Sequence, residues 1–110
     1  MMSINTKLSA FADKLRTITG CNLYHYFRPV MNVPYLLWAE TGEANSLNAD
    51  NGKREQAIAI DVDYYTKNEF DSVIDEIQNL FIDNNIAFEL TSVAFEDSTN
   101  LIHYSWTAEV

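Results

Sequence analysis

The chain has 110 residues, the size of one domain with a single hydrophobic core and too short for two. Apolar residues make up 47% of it and aromatic residues 13%, which excludes an acidic disordered chain of low hydrophobicity. The formal net charge of -9, from 16 acidic and 7 basic residues, argues against tight binding to a DNA backbone or an anionic membrane.

The charge is distributed unevenly along the chain. Residues 1–54 hold 6 bases and 4 acids, a net of +2, whereas residues 55–110 hold 12 acids against the single base Lys67, a net of −11. Cys21 is the only cysteine, so an intramolecular disulfide and a multi-cysteine zinc site are excluded. With no signal-like start and no apolar run of the roughly 20 residues that a bilayer requires, we expect a cytoplasmic protein with no membrane contact.

The first segment predicts a helix. Its apolar residues recur at spacings of three and four: Ile4, Leu8, Phe11, Ala12, Leu15 and Ile18. Ser3 or Asn5 can cap its start, and Gly20 provides a residue that tolerates a left-handed stop. Residues 22–40 are then rich in aromatic and β-favouring residues and predict two strands, the second beginning at Pro34 or lying at a sheet edge.

Residues 41–55 have the composition of a long exposed loop, with turn-forming residues and one large apolar side chain, Leu47. An unstructured connection of this length is uncommon inside a compact domain and is usually functional or disordered. It is therefore the segment that we most expect to contact a partner.

The second half of the chain predicts a strand, a helix and a hairpin. Residues 58–65 alternate with period two, and Thr66 to Glu69 have the spacing of a helix capping box. The apolar stripe of the helix is Phe70, Val73, Ile74, Ile77, Leu80 and Phe81, with Asp71, Asp75 and Glu76 on its solvated face. Asn84-Asn85 can end the helix. A hairpin follows, with arms 86–95 and 101–108; Ile86, Phe88 and Leu90 share one face of its first arm.

The element order α-β-β-β-α-β-β predicts an α+β fold in one domain. We expect a mainly antiparallel sheet of about five strands with both helices packed on one face.

Motifs for chemistry are weak in this chain. Gly52-Lys53 lacks the other residues of a phosphate-binding loop, and Asp50-Asn51-Gly52 fails the ligand pattern of a calcium loop. Asp61 and Asp63 point to one side of a strand and could hold a magnesium ion, but a solvated strand face is the simpler interpretation because no nearby Lys or His completes a site.

Two further groups of residues invite a functional interpretation. His25 and His103, with Cys21, could form a metal site or a Cys-His dyad, although histidines on aromatic strands usually make an ordinary hydrogen bond. Residues 24–28 mix aromatics with Arg28 and could stack single-stranded nucleic acid, against which stands the net charge. We favour a role in the core or in an interface for both groups, and expect no cofactor and no catalytic residue.

One pattern runs through three segments: Val33-Pro34-Tyr35-Leu36-Leu37-Trp38, an Asn/Asp-rich loop containing Asp50-Asn51, and Ile60-Asp61-Val62-Asp63-Tyr64-Tyr65-Thr66-Lys67. Together with the terminal hairpin that ends at Val110, these segments resemble the small tail-completion or tail-terminator proteins of long-tailed bacteriophages and prophages. In that family a Pro-Tyr strand is followed by an Asp-Asn pair and by a Tyr-Thr-Lys strand that opens the second helix.

The resemblance implies a structural protein without catalytic residues. It implies a ring, typically hexameric, that caps the tail tube and offers a docking surface to head-completion proteins, in the host cytoplasm during assembly and then in the virion tail. The family's long loop corresponds to residues 41–55, and the candidate contact residues there are Glu43, Asn45, Leu47, Asp50, Asn51, Lys53 and Arg54.

The acidic second half acquires a physical interpretation in such a ring. Acidic walls repel passing DNA, whereas basic walls would retain it. The candidate residues of an acidic lumen are Asp61, Asp63, Asp71, Asp75 and Glu76; solubility alone is the alternative explanation.

Two other functions stay open. One is a small protein-binding or regulatory domain, monomeric or dimeric, that recruits its partner through a strand edge. The other is a metal-dependent enzyme that uses Asp61 and Asp63.

Overall fold

The structure, a computed structural model, describes residues 2–28, 32–44 and 56–110. These residues form two helices and five strands in the predicted order. They are α1 (Ile4–Leu15), β1 (Asn22–His25), β2 (Tyr35–Ala44), β3 (Ala57–Thr66), α2 (Ser72–Asp83), β4 (Ala87–Glu96) and β5 (Leu101–Glu109).

The five strands form one sheet in the order β1-β2-β3-β5-β4. Three of its four pairings are antiparallel, and only β1 runs parallel to its neighbour β2. The helix α2 connects β3 to β4, and β5 then turns back to lie between those two strands. The α+β class and the predominantly antiparallel sheet are confirmed, and the strands β1 and β4 lie at its two edges.

The hydrophobic core lies between the two helices and one face of the sheet. Alternate residues of the central strands point to this face because side chains alternate along a strand. The core includes Phe11, Leu15, Trp38, Ile60, Val62, Tyr64, Ile77, Phe81 and Trp106. Both helices contribute to this one cluster, so the expectation that they pack on the same face is also confirmed.

The helix α1 begins at its predicted cap and ends earlier than predicted. The Ser3 hydroxyl accepts a hydrogen bond from the Thr6 amide at 3.1 Å, so Ser3 rather than Asn5 is the N-cap. The last helical residue is Leu15, and the C-cap Arg16 keeps a right-handed conformation. Gly20 does adopt a positive φ of 90°, but in the connection to β1 rather than at the end of the helix.

The strand β2 begins directly after Pro34 and continues through Ala44. The predicted loop over 41–55 was therefore wrong at its start, because residues 41–44 pair with β3, with Ala44 opposite Ala57. A register irregularity between Glu40 and Gly42 accommodates this extension. The rest of the predicted loop, with the candidate contact residues Asn45, Leu47, Asp50, Asn51, Lys53 and Arg54, lies outside the described residues.

The capping box predicted over residues 66–69 was wrong. Thr66 is the last residue of β3, and α2 begins only at Ser72, with Asp71 as its N-cap accepting from the Val73 amide at 2.9 Å. Phe70, predicted in the apolar stripe, precedes the helix at a φ of 54° and is 96% exposed. The predicted stop is confirmed, since Asn84 is the C-cap and Asn85 has a φ of 55°.

Candidate interaction surfaces

The sheet face that points away from the helices, here called the outer face, carries a row of stacked rings. The Tyr35 and Tyr65 rings lie 4.6 Å apart, and the Tyr65 and His103 rings 4.0 Å apart, on neighbouring strands. The Arg28 guanidinium lies 5.5 Å from the centre of the Tyr35 ring. Burial raises the pKa of Tyr65 to about 12, with the Asp63 charge adding to it, so its phenol stays protonated at neutral pH.

A polar cluster adjoins this row. His103 Nε2 lies 2.8 Å from Asp63 Oδ1, and the Ser105 hydroxyl donates to the same oxygen at 2.7 Å. The Ser105 oxygen also lies 3.1 Å from His103 Nε2. In a catalytic triad the acid and the nucleophile contact different ring nitrogens, whereas here Asp63 and Ser105 both contact Nε2, and Glu96 Oε1 lies 3.8 Å from Nδ1, beyond hydrogen-bond distance. The geometry is that of a cross-strand hydrogen-bond network.

The structure does not bring the five candidate lumen residues together. Asp61 and Asp63 lie on the outer face, opposite Thr107 and Ser105 of β5, while Asp71, Asp75 and Glu76 belong to the helical side. Asp75 and Glu76 are exposed, as predicted for the solvated side of α2.

Asp71 does not belong to that solvated side. Its Oδ2 accepts hydrogen bonds from the Tyr64 hydroxyl at 2.8 Å and from the Thr66 hydroxyl at 2.7 Å. Burial alone would raise the pKa of Asp71, but the hydrogen bonds from Thr66, the Val73 amide and Tyr64 outweigh it and lower that pKa. Asp71 therefore ties the end of β3 to the start of α2.

The two histidines lie far apart, and neither is next to Cys21. His25 pairs in register with the core residue Trp38 and stacks on its ring at 3.7 Å, whereas His103 lies on the outer face. His25 Nε2 lies 2.7 Å from Glu40 Oε1, so each histidine contacts a carboxylate. Burial, and then the charges of Glu76 and Asp71, raise the pKa of the Cys21 thiol to about 11, which leaves it protonated and a poor nucleophile at neutral pH.

The aromatic run of residues 24–28 does not form one stacking platform. Tyr24 packs toward Tyr35, at 6.1 Å between ring centres, while its neighbour His25 points to the helical side. Tyr26 and Phe27 are exposed. The His25 ring stacks at 3.7 Å on both the Tyr26 ring and the Trp38 ring, so this run is divided between two separate groups of rings.

The described part of the chain was also searched for metal sites and membrane spans. Within it no group of three or more His, Cys, Asp or Glu side chains is placed to hold a metal ion. In the same residues, neither helix has the length and apolar character to cross a bilayer.

The base of the predicted contact loop is held by Gln56. Its amide Nε2 donates to Glu43 Oε1 at 3.3 Å, and its backbone carbonyl accepts from Lys7 of α1. Glu43 is half-buried, so of the candidate contact residues it is the one that the structure describes, at the end of β2.

An exposed apolar stripe runs along the edge strand β4. Leu90 is 44% exposed, Val93 53% and Phe95 59%, and these three residues are called the β4 stripe below. They pair in register with Trp106, Tyr104 and Ile102, so they lie on the helical side of the sheet. The sequence predicted that Ile86, Phe88 and Leu90 share one face of this hairpin arm. Burial on that face decreases along the arm, because Ile86 is 7% exposed and Leu90 is 44% exposed.

The β4 edge carries few of the features that prevent strands from associating. Its sequence, Ala-Phe-Glu-Leu-Thr-Ser-Val-Ala-Phe-Glu, contains no Lys, Arg or Pro, the residues that commonly protect such edges. Its protective features are a register irregularity between Leu90 and Ser92 and the charges of Glu89 and Glu96. Among the described residues no strand pairs with the free edge of β4.

A groove of about 300 Å³ lies at the opposite edge of the sheet, between α1 and β1. Apolar and aromatic side chains dominate its walls, and Arg16 contributes a charge. It is lined by Leu8, Ser9, Ala12, Arg16, Leu23, Tyr24, His25 and Trp38, and is called the α1–β1 groove below. A site of this size is at the small end of the range for ligand pockets.

Sequence reasoning missed both the stripe and the groove. The stripe left one signal in the sequence, a ten-residue strand with apolar residues at 90, 93 and 95 and no basic residue or proline. The groove left none, because residues from α1, β1 and β2 meet there only after folding.

A scan against models of protein families and a search of curated proteins both found no match to this chain.

Proposed function

We propose that this chain is a structural assembly protein that acts by binding other protein subunits, as a ring at the end of a phage tail tube. The observation that carries the proposal is the β4 edge: a ten-residue strand, without basic residues or proline, that exposes Leu90, Val93 and Phe95. Unprotected edge strands and exposed apolar patches are typical of surfaces that another chain covers.

The side chains that could support catalysis are instead engaged in structural contacts. Asp63 is held by His103 and Ser105, and Asp71 caps α2. The thiol of Cys21 is protonated. This favours assembly over the alternative of an enzyme that uses Asp61 and Asp63.

The proposal includes an acidic lumen, which one of two pairs of carboxylates could line. Asp61 and Asp63 lie on the outer face, and Asp75 and Glu76 on the helical side, so only one pair can face a channel. We favour Asp75 and Glu76 because both are exposed, whereas Asp63 is half-buried and bonded to His103. Carboxylates on that wall would keep DNA from adhering as it passes.

By the family resemblance, the other partners are the tail-tube and head-completion proteins, and the place of action is the host cytoplasm and then the virion tail. The remainder of the loop after β2 is the proposed contact with a subunit or with the tube.

Sedimentation velocity and native mass spectrometry over a wide range of protein concentration test the function. We expect the mass to rise with concentration toward a closed ring. A mass equal to one chain at every concentration would contradict self-assembly. A dimer that does not grow further would instead favour the smaller binding or regulatory domain.

A further inference from the structure

We propose that the β4 stripe of one copy binds in the α1–β1 groove of the next copy, so that subunits join head to tail through the two edges of the sheet. The proposal deepens the assembly function and rests on it. It names the two surfaces that meet and the orientation in which they do so.

The stripe and the groove cannot meet within one copy. They lie at opposite edges, separated by β2, β3 and β5. With neighbouring strands about 4.8 Å apart, β1 and β4 are roughly 19 Å apart across the sheet. A contact between the two surfaces therefore requires a second copy.

The edge of β4 is acidic, and the groove offers one exposed cation to it. The strand β4 carries Glu89 and Glu96 and no basic residue, and Asp97 follows it directly. The groove is lined in part by Arg16, whose side chain is 64% exposed and is paired only at the surface with Asp13. Such surface pairs are weak, so Arg16 can exchange Asp13 for a carboxylate of the next copy at little cost.

The same charges disfavour a two-fold pairing of β4 with β4 of another copy. An antiparallel pair centred between Ser92 and Val93 would place Glu89 of one copy opposite Glu96 of the other. Like charges directly opposite each other destabilise a strand pair, and this strand supplies no cation to offset them. Electrostatics therefore disfavour this two-fold register, which leaves the contact between the unlike surfaces.

The chemistry of the two surfaces also agrees. The groove walls include His25, Leu23 and part of Trp38, which form an apolar and aromatic site. Phe95 is the largest side chain of the stripe and 59% exposed. Aromatic residues that enter such sites contribute most to interface affinity, and aromatic pairs add to the effect of the buried area.

Contacts between unlike surfaces repeat from copy to copy. They produce a closed ring when the rotation between copies closes and a filament when it does not. In either case the two faces of each sheet become the two walls of the assembly. The proposed contact therefore accounts for a ring without a second kind of interface.

Two variants separate the surfaces. Phe95→Glu damages the stripe and leaves the groove intact, and Ser9→Trp fills the groove and leaves the stripe intact. Ser9 is an exposed residue of α1, so this change does not reach the core. The matched control is Phe70→Glu, the same kind of change as Phe95→Glu, because Phe70 is 96% exposed in the connection between β3 and α2 and belongs to neither surface.

Analytical ultracentrifugation of each variant, and of the two mixed, is the test. We expect each variant alone to associate at least about tenfold more weakly than the wild type. The mixture should form a heterodimer that stops at two chains, because only one intact pair of surfaces remains. The Phe70→Glu control should associate like the wild type. Circular dichroism and thermal midpoints confirm that each variant is folded.

Three outcomes would overturn the proposal. If Ser9→Trp associates like the wild type, the groove is not the binding site of the β4 stripe, although the assembly function stands. If the two variants do not combine when mixed, the contact is not between unlike surfaces. If the wild type stays a monomer throughout, the assembly function fails and this contact fails with it.

Discussion

Among single residues, Asp71 joins two elements: it caps the start of α2 and accepts hydrogen bonds from the Tyr64 and Thr66 hydroxyls at the end of β3. We expect Asp71→Ala to lower the free energy of unfolding by roughly 2 to 4 kcal/mol, because it removes a helix cap and leaves the hydroxyls of Tyr64 and Thr66 without their acceptor. Urea denaturation measures the change. The control is Glu69→Ala, which should have almost no effect. An equal loss there would show that Glu69 does take part in the capping box predicted at Thr66.

The contribution of Asp71 should also depend on pH. Its pKa is lowered in the folded chain, so the unfolded chain binds the proton more tightly. The stability it contributes is fully present above the ordinary aspartate pKa of about 3.9 and is lost as the pH falls through the lowered folded value. We therefore expect the difference in unfolding free energy between the wild type and Asp71→Asn to shrink below about pH 4. A difference that is constant from neutral to acid pH would contradict this.

Cys21 provides a second test at the scale of one residue. With its pKa raised to about 11, the thiolate fraction at pH 8 is far below that of an ordinary thiol, and we expect alkylation by iodoacetamide to be roughly hundredfold slower than in the urea-unfolded chain. Mass spectrometry of the modified peptide follows the rate. Equal rates in the folded and unfolded chains would show that Cys21 is exposed and unshifted.

At the scale of elements, α1 is held to the sheet by one face. Phe11 makes an edge contact with Trp38 at 5.3 Å and stacks with Phe81 at 6.4 Å, so it links both helices to β2. We expect Phe11→Ala to cost about 3 to 5 kcal/mol in unfolding free energy, whereas Ile4→Ala on the exposed side of the same helix should cost much less. Thermal and urea unfolding compare the two. Similar losses would mean that α1 is not packed through Phe11.

The limits of sequence reasoning are also clearest at the scale of elements. Apolar periodicity predicted both helices and the strands of the second half because burial on one face imposes a period of two or about 3.6, whereas β1 and β2 were predicted from their aromatic and β-favouring composition. The start of α2 was misplaced because Thr66 and Asp71 are both plausible N-caps, and only the position of β3 decides which oxygen meets the free amides. Residues 41–44 have turn composition, yet pairing with β3 overrides it, since strand propensity depends on the neighbouring strand.

At the scale of the whole molecule, the uneven charge determines how assembly should respond to salt. If the acidic β4 edge of one copy meets Arg16 of the next, raising sodium chloride from about 0.1 M to 1 M, where the Debye length falls from about 10 Å to 3 Å, should weaken association. Sedimentation at the two salt concentrations measures this. Stronger association of the wild type in high salt would indicate that like charges meet and would contradict the contact. In the Arg16→Glu variant like charges do meet, so its association should strengthen as salt is raised.

The candidate surfaces were harder to predict than the fold. The acidic residues were found from composition, but their division between the two sheet faces required the register of β3 and the position of α2. The stripe at Leu90, Val93 and Phe95 follows from β4 being an edge strand, which depends on β5 being inserted beside β3. Edge and centre are properties of the topology, and local patterns do not encode them.

The stacking of His25 on Trp38 gives the α1–β1 groove an optical reporter of its own. The chain has two tryptophans, and the other, Trp106, is buried on β5 with its indole N–H bonded to Gln78 at 3.0 Å. Displacing or reorienting the imidazole that covers Trp38 alters the emission of that indole. Because Trp106 lies opposite Leu90 of the β4 stripe, the groove is best probed with the Phe95→Glu variant, whose stripe is damaged and whose groove is intact. Intrinsic fluorescence can therefore detect occupation of the groove in the unlabelled protein, at concentrations too low for hydrodynamic methods.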